Sequence, residues 1–310
     1  MNSTQLKQKK GAGTLFGALA FIIWGVAPLY WRLLSRFLPE VILSHRIIWC
    51  FVFLTVFMGI TGRWRAWVTL IRERKSRLFF VAGAVLLGSN WFIYMWAIAN
   101  DMVVDASMGY FINPLFVIFL GIVVFKERLG LLKLLALVFA AAGVVVLAVS
   151  YGRLPWVALS LTVTFGLYGM IKKLSGADPY IGLHVESGFL VPVAVGYLLL
   201  NGVEGGLFGP SKGLAALLVG AGALTILPLT LFAQSTQMIQ YTQVGFLQYI
   251  APSLTLIIGV FVFGEEFTAV HGVSFGLIWL ALVLSSIAQV IGMRKKKDLQ
   301  NGQNSLAGEL

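Results

Sequence analysis

The sequence has few of the residues that build metal sites, disulfide frameworks or charged protein surfaces. Of its 310 residues one is cysteine, three are histidine and 11% are charged. The single Cys50 and the scattered histidines exclude a disulfide framework, a zinc ribbon and a two-cysteine redox motif. We therefore expect neither a bound metal nor another cofactor.

A chain with so little charge is not expected to be soluble. About a quarter of the residues in a soluble domain are charged, whereas here 59% are apolar and the mean hydropathy is +0.90. A bilayer core of about 30 Å takes roughly 20 helical residues to cross. The sequence has ten apolar windows that predict such spans, at 13–34, 40–60, 77–98, 104–125, 130–149, 156–173, 181–200, 214–236, 242–263 and 271–292. We predict an all-α membrane protein with ten transmembrane helices.

Basic residues cluster at alternate links between these spans. If the N-terminus lies inside, the inner segments hold Lys7, Lys9, Lys10, Arg63, Arg65, Arg72, Arg74, Lys75, Arg77, Lys126, Arg128, Lys133, Lys172, Lys173, Arg294, Lys295, Lys296 and Lys297. The outer segments hold only Arg32, Arg36, Arg153 and Lys212. This positive-inside asymmetry predicts a protein of the cytoplasmic membrane with both termini in the cytoplasm. The net charge of +11 therefore reflects topology, and no nucleic-acid partner is expected.

The two halves of the chain repeat one pattern. Pro-x6-Gly-x3-Phe-x-Glu begins at Pro114 and again at Pro252, 138 positions later. Each half holds five predicted spans, and because five is odd the second copy must cross the membrane in the opposite sense. We predict two inverted five-helix repeats, 13–149 and 156–292. The segments 1–12 and 293–310 are then cytoplasmic tails.

Several motifs resemble those of a known family. They are Trp24-Gly25, Asn113-Pro114-Leu115, Lys126-Glu127-Arg128-Leu129 and Gly264-Glu265-Glu266. Three more are Ser44-His45-Arg46, Ser89-Asn90-Trp91 and Gly109-Tyr110-Phe111-Ile112-Asn113-Pro114. Together they resemble the EamA domains of the drug/metabolite transporter superfamily, and more closely its RarD (chloramphenicol-sensitive protein) branch, over nearly the whole chain. The resemblance implies export of small polar or amphipathic metabolites or drugs, and it says little about the substrate itself.

Two full charges, Arg46 and Glu186, lie well inside predicted spans. A charge there costs at least about 2.5–3.5 kcal/mol on insertion scales, which indicates a substrate or proton site. Snorkelling of Arg46 and a structural ion pair are the alternatives. When helical rise is counted from the centre of each predicted span, the two charges differ in membrane depth by about 12 Å. We therefore expect each to face a water-filled vestibule or local polar partners, and we assign Glu186 the role of coupling solute movement to protons.

Polar and aromatic residues mark six spans. A central cavity between the two bundles would collect them, and rings with a few amides suit an amphipathic or cationic solute. An interfacial aromatic belt is an open alternative for Trp91. The predicted substrate-binding residues are Trp24, Arg46, Asn90, Trp91, Tyr94, Tyr110, Asn113, Tyr168, Glu186, Gln234, Gln248 and Tyr249.

Two prolines inside spans, Pro114 and Pro252, correspond to each other in the predicted repeat. Proline frees a backbone carbonyl and kinks a helix. We predict that both are hinges, with incidental kinks as the alternative.

No Gly-x4-Gly-Lys-Ser/Thr sequence for ATP binding occurs. We therefore predict a secondary active transporter, not an enzyme, that moves a small solute by alternating access. Its expected partners are that solute, the bilayer and protons, and both a monomer and a homodimer stay open. An intramembrane enzyme or flippase acting on a lipid-linked substrate is the alternative, and it would need a cluster of carboxylates or histidines. A structural scaffold would leave Arg46 and Glu186 unexplained.

Overall fold

The computed structural model describes residues 3–100, 102–152, 155–201 and 211–308, and the regular structure within these ranges is entirely helical. The helices are α1 (Ser3–Leu33), α2 (Pro39–Thr61), α3 (Trp64–Arg72), α4 (Arg74–Ala99), α5 (Val103–Val123), α6 (Leu131–Tyr151), α7 (Trp156–Ser175), α8 (Pro179–Asn201), α9 (Lys212–Met238), α10 (Tyr241–Gln248), α11 (Ile250–Phe263) and α12 (Ala269–Gly308). Of the residues used to predict topology, Arg153 lies outside the described ranges.

Among the described residues, ten helical stretches are long and apolar enough to cross a membrane. They are Gln8–Leu33, Pro39–Thr61, Arg74–Ile98, Ala106–Val123, Leu131–Tyr151, Trp156–Ser175, Pro179–Asn201, Lys212–Met238, Tyr241–Phe263 and Ala269–Ile291. They match the ten predicted windows one to one. Helices α1 and α4 start several residues earlier than predicted, because a helix can continue past the apolar core into the polar layer. The prediction of a ten-helix all-α membrane protein is confirmed.

The described residues of 1–121 and 155–265 form one compact unit. Within it α2 packs against α8 and α9, α4 packs against α7, and α1 packs against α9 and α11. Glycine allows the closest of these approaches. A Cβ atom at Gly222 of α9 would lie 2.7 Å from the Trp49 carbonyl carbon and 2.8 Å from the Cys50 nitrogen of α2.

Gly222 gives a test of this packing. Gly222→Ala should destabilise the protein by about 1–3 kcal/mol or more, because the new methyl meets backbone that can move only with its helix. Gly196→Ala in α8 is the matched control, since nothing lies within 4 Å of its Cβ position. It should be neutral or slightly stabilising through helix propensity. Thermal unfolding in detergent measures both, and equal melting temperatures would contradict the α2–α9 packing.

The described residues of 122–154 and 266–308 form a second unit, in which α6 packs along α12. A Cβ atom at Gly143 of α6 would lie 2.7 Å from the Ser274 carbonyl oxygen of α12. A small residue at this position therefore permits close backbone approach. Each unit contains helices from both predicted repeats, and the repeat boundaries at 13–149 and 156–292 stay a prediction.

The ninth span, predicted over 242–263 with a hinge or kink at Pro252, is interrupted. Helix α10 ends at Gln248 and α11 begins at Ile250. Pro252 explains the interruption, because its ring clashes with the carbonyl four residues earlier, that of Gln248, and it has no N–H to donate. Pro114 lies inside the continuous α5. The two prolines thus differ in local geometry, and their hinge role stays a prediction.

The short helix α3 is attached to α8 through His184. Trp67 Nε1 donates a hydrogen bond to His184 Nδ1 at 3.1 Å, and Thr55 Oγ1 lies 3.1 Å from His184 Nε2. The Phe51 ring stacks on the imidazole at 4.6 Å between centroids. Both ring nitrogens of His184 are therefore in use, and they fix the end of α8 that carries Glu186 two residues later.

Candidate functional site

Glu186 of α8 belongs to a buried ion pair. Lys172 Nζ of α7 donates to Glu186 Oε1 at 2.5 Å, and the Tyr168 hydroxyl donates to Oε2 at 3.2 Å. The Lys172 and Glu186 side chains are 5% and 1% exposed. Each carboxylate oxygen thus has its own donor, which is the arrangement a buried carboxylate requires.

Local sequence explains this geometry. Tyr168 and Lys172 are four residues apart on α7, so both project from one face of the helix. Two glycines leave room for the pair. A Cβ atom at Gly83 of α4 would overlap the Glu186 carboxylate, and one at Gly182 would lie 3.1 Å from Lys172 Nζ.

The placement of Lys172 corrects the sequence analysis. The sequence assigned it to a basic inner segment, and it counted Arg46 and Glu186 as the two charges inside spans. Helix α7 continues beyond the predicted end at residue 173 to Ser175, and one of its faces turns Lys172 inward. Lys172 is therefore a buried charge near the end of a span and not a residue of an inner link, and it is the partner of Glu186.

Arg46 of α2 forms a second charged centre. Its Nε donates to Thr225 Oγ1 of α9 at 3.1 Å. Its guanidinium carbon lies 4.9 Å from the centroid of the Trp31 ring and 5.3 Å from that of Trp91. Trp91 thus lies beside Arg46, and its role in substrate binding stays a prediction.

Two tyrosines complete the surroundings of Arg46. Tyr94 and Tyr110 lie close to each other and to the guanidinium. Tyr110 is 54% exposed although it belongs to a membrane-spanning helix. Tyr110 therefore has surface on α5 that the other helices do not cover.

The Arg46 and Glu186 centres are neighbours without being partners. Cys50, one turn after Arg46 on α2, shares a hydrogen bond with Ser187 of α8, the residue next to Glu186. Within the described ranges Glu186 is paired with Lys172 and not with Arg46. The two charges have separate partners, as expected, but the partner of Glu186 is the charged Lys172, which is the structural ion pair that the sequence left open as the alternative.

An amide pair lies between α5 and α10. Asn113 Nδ2 donates to Gln248 Oε1 at 2.8 Å. In the described part of the chain, Asn113 Oδ1, Gln248 Nε2 and the Tyr249 hydroxyl are buried without a hydrogen-bond partner. Each such atom costs about 1–3 kcal/mol. Gln248 and Tyr249 are adjacent in the chain and Asn113 contacts Gln248, so these unpartnered polar atoms cluster between α5 and the end of α10.

The remaining predicted site residues have structural contacts. Trp24 packs with Phe165 and Phe232, each 5.7 Å away between ring centroids. Asn90 Nδ2 donates to the Leu161 carbonyl at 3.0 Å and to Thr164 Oγ1 at 2.9 Å, and Gln234 Nε2 donates to the carbonyl of Thr230 in its own helix at 3.3 Å.

The structure thus joins some predicted residues and separates others. It groups Arg46 with Trp91, Tyr94 and Tyr110, Tyr168 with Glu186, and Asn113 with Gln248. The predicted set of site residues did not include Trp31, Lys172 or Thr225. A basic residue four positions after a span tyrosine is a signal that could have found Lys172. Trp31 and Thr225 have no comparable signal.

In the part of the chain that the structure describes, ten apolar helices that hold charged and amide side chains define a multi-pass helical membrane protein, and such side chains inside spans are typical of transporters. The model of the EamA-like transporter family matches residues 11–149. The chain belongs to the EamA-like transporter family, and its relatives place it in the RarD branch.

Three relatives span almost the whole chain. "Uncharacterized transporter YojE" of Bacillus subtilis (strain 168) is 42% identical and covers 92% of this chain and 97% of its own length. "Protein RarD" of Escherichia coli (strain K12) is 34% identical, with 95% and 99% covered. "Chloramphenicol-sensitive protein RarD" of Pseudomonas aeruginosa is 27% identical, with 92% and 97% covered.

A solved structure entitled "Crystal structure of protein" shares the fold. Its TM-score is 0.68 at 16% identity, with 89% of this chain and 98% of that chain covered. The family and these relatives identify a membrane transporter of the drug and metabolite kind.

Proposed function

We propose that this chain is a secondary active exporter that moves a small polar or amphipathic solute across the cytoplasmic membrane by alternating access. The observation that carries the proposal is the pair of charged centres inside the spans, Arg46 and Lys172–Glu186. Placing three charges in membrane helices is costly, and a transporter provides a reason for them. The lack of an ATP-binding motif favours transport driven by solute or proton gradients.

Glu186 is the proposed coupling residue, and Lys172 refines how it would act. A proton on Glu186 removes the negative charge and with it the ion pair to Lys172. Uptake and release of one proton would therefore make and break the link between α7 and α8. Such a two-state contact is what coupling of proton movement to a conformational change requires.

The proposed function is tested by reconstitution. Purified protein in liposomes preloaded with pooled amino acids, nucleobases, organic acids or amphipathic drugs should accumulate the matching labelled solute by counterflow without ATP. Empty liposomes are the control. Failure of every pool to exchange would contradict secondary transport and would favour the alternative, an enzyme or flippase acting on a lipid-linked substrate.

Orientation is tested by cysteine labelling in a Cys50→Ala background. Ser3→Cys, Lys75→Cys and Ser305→Cys should resist an impermeant thiol reagent added to intact cells, because the basic segments are proposed to be cytoplasmic. Gly209→Cys, which lies outside the described residues, should react. Labelling of Ser305→Cys in intact cells would refute cytoplasmic placement of both termini.

The hinge proposal concerns Pro114 and Pro252. Replacing either with alanine restores a backbone hydrogen bond, so each variant should stay folded in detergent and transport more slowly because a stiffer helix opens less readily. Pro39→Ala, at the start of α2, is the control. Wild-type transport rates in both variants would rule out hinges at these positions.

A further inference from the structure

Arg46 carries a positive charge that no carboxylate neutralises within the described ranges. Lys172 differs, because Glu186 compensates its charge at 2.5 Å. The hydrogen bond of Arg46 uses Nε and ends on a hydroxyl, Thr225 Oγ1. Since an uncompensated charge away from bulk water is costly, the site has an excess positive charge that an anion would offset.

The free edge of Arg46 determines which anion fits. With Nε bonded to Thr225, the two Nη nitrogens remain as donors, and the guanidinium fork matches the two oxygens of a carboxylate. Trp31 and Trp91 already hold the guanidinium through cation–π contacts. A cationic solute would therefore meet rings that already bind a cation, and it would be repelled by Arg46.

Tyr94 and Tyr110 provide surface beside Arg46 for the rest of the solute. Both residues lie close to the guanidinium. Their rings offer apolar surface and their hydroxyls can donate further hydrogen bonds to an oxyanion. A ligand with a carboxylate and a compact apolar or aromatic body would satisfy both features.

We propose that Arg46 is the counter-ion of an organic carboxylate, so that the transported solute is a small monocarboxylate with an apolar or aromatic body. This inference rests on the proposed function, because it names the class of solute that the same site takes. A phosphate monoester is disfavoured, since its charge of about −1.5 to −2 would leave negative charge unmatched by one guanidinium.

Calorimetric titration of the purified protein in detergent with matched pairs of ligands tests the proposal. The pairs are phenylacetate with phenylacetamide and isobutyrate with isobutyramide, and phenethylamine and phenyl phosphate are added as a cation and a phosphate. At least one carboxylate should bind about tenfold or more tightly than its amide, as expected for hydrogen bonds to a charged donor. Equal affinity within both pairs, or tighter binding of the amine or the phosphate, would overturn the proposal.

Variants assign the preference to Arg46. Arg46→Gln should remove it, and Arg46→Lys, which keeps the charge and loses the fork, should retain a small part of it. The control Arg36→Gln changes an exposed arginine and should bind as wild type. Size-exclusion chromatography checks folding, and if Arg46→Gln does not fold, Arg46→Lys decides. An unchanged carboxylate preference in the folded variant would overturn the role of Arg46.

Binding in detergent and counterflow in liposomes separate the two proposals. If the protein prefers carboxylates in detergent but exchanges no solute pool in liposomes, the proposed function is contradicted and the Arg46 assignment stands. If the protein exchanges a solute pool in liposomes but does not prefer carboxylates in detergent, the Arg46 assignment is contradicted and the transporter proposal stands.

Discussion

Replacing Lys172 with methionine is expected to lower the free energy of unfolding by about 3–5 kcal/mol, because it leaves the Glu186 carboxylate buried without its counter-charge. Glu186 is 1% exposed, so water cannot take the place of the lost partner. Tyr168 alone would remain as a donor to the carboxylate. Thermal unfolding in detergent, or steric trapping in bilayer-like micelles, measures the loss.

A double-mutant cycle isolates the ion pair from other effects of the substitution. Lys172→Met with Glu186→Gln removes both charges, so the double variant should recover much of the stability lost in Lys172→Met. Lys212→Met, at the exposed first residue of α9, is the matched control and should unfold like wild type. If the two single losses simply add in the double variant, the pair does not stabilise the fold.

The second large effect is expected on proton coupling. Glu186→Gln keeps the size of the side chain and an acceptor for Lys172 while removing the group that gains and loses a proton. If Glu186 couples protons to solute, the variant should lose accumulation driven by an imposed pH gradient and keep solute-for-solute exchange. Uptake and counterflow in the same liposomes measure the two activities.

The control for coupling is Glu266→Gln, which changes an exposed carboxylate in the link after α11. It should couple as wild type. Equal gradient-driven accumulation by wild type and Glu186→Gln would remove the coupling assignment. A purely structural role for Glu186 predicts a different pattern, in which exchange, accumulation and folded yield all fall together.

Long-range regularities of the sequence predicted the fold. The ten apolar windows are each long enough to cross a bilayer, and this requirement leaves little choice of structure. A hinge or kink was predicted at Pro252, but the position of the break at residue 249 was not, because Tyr249 itself is unremarkable in an apolar run. The signal is Pro252 three residues later, which acts on the carbonyl of Gln248.

Part of the candidate site could be predicted because a charged residue inside an apolar span is easily recognised in the sequence. The packing of one helix against another is not. Arg46 and Glu186 were recognised because they lie well inside predicted spans. Lys172 was missed because its position near the end of a span is equally typical of a residue in an inner link, and sequence cannot say which face of α7 meets α8.

Contacts between distant helices lie further beyond sequence reasoning. Thr225 is 179 residues from Arg46 in the chain, and a threonine in an apolar helix carries no mark of such a bond. Trp31 lies near the end of α1, where an aromatic residue has an ordinary interfacial explanation. Pairing of Arg46 with these residues follows from tertiary packing alone.

Counterflow with one identified solute is the most direct test of the central claim, that charged residues inside the spans carry out secondary transport. Liposomes that contain wild-type protein and are preloaded with that solute should transiently concentrate the labelled solute without ATP, whereas Arg46→Gln liposomes with equal folded protein should not. Accumulation that requires ATP, or equal accumulation by wild type and Arg46→Gln, would contradict the account.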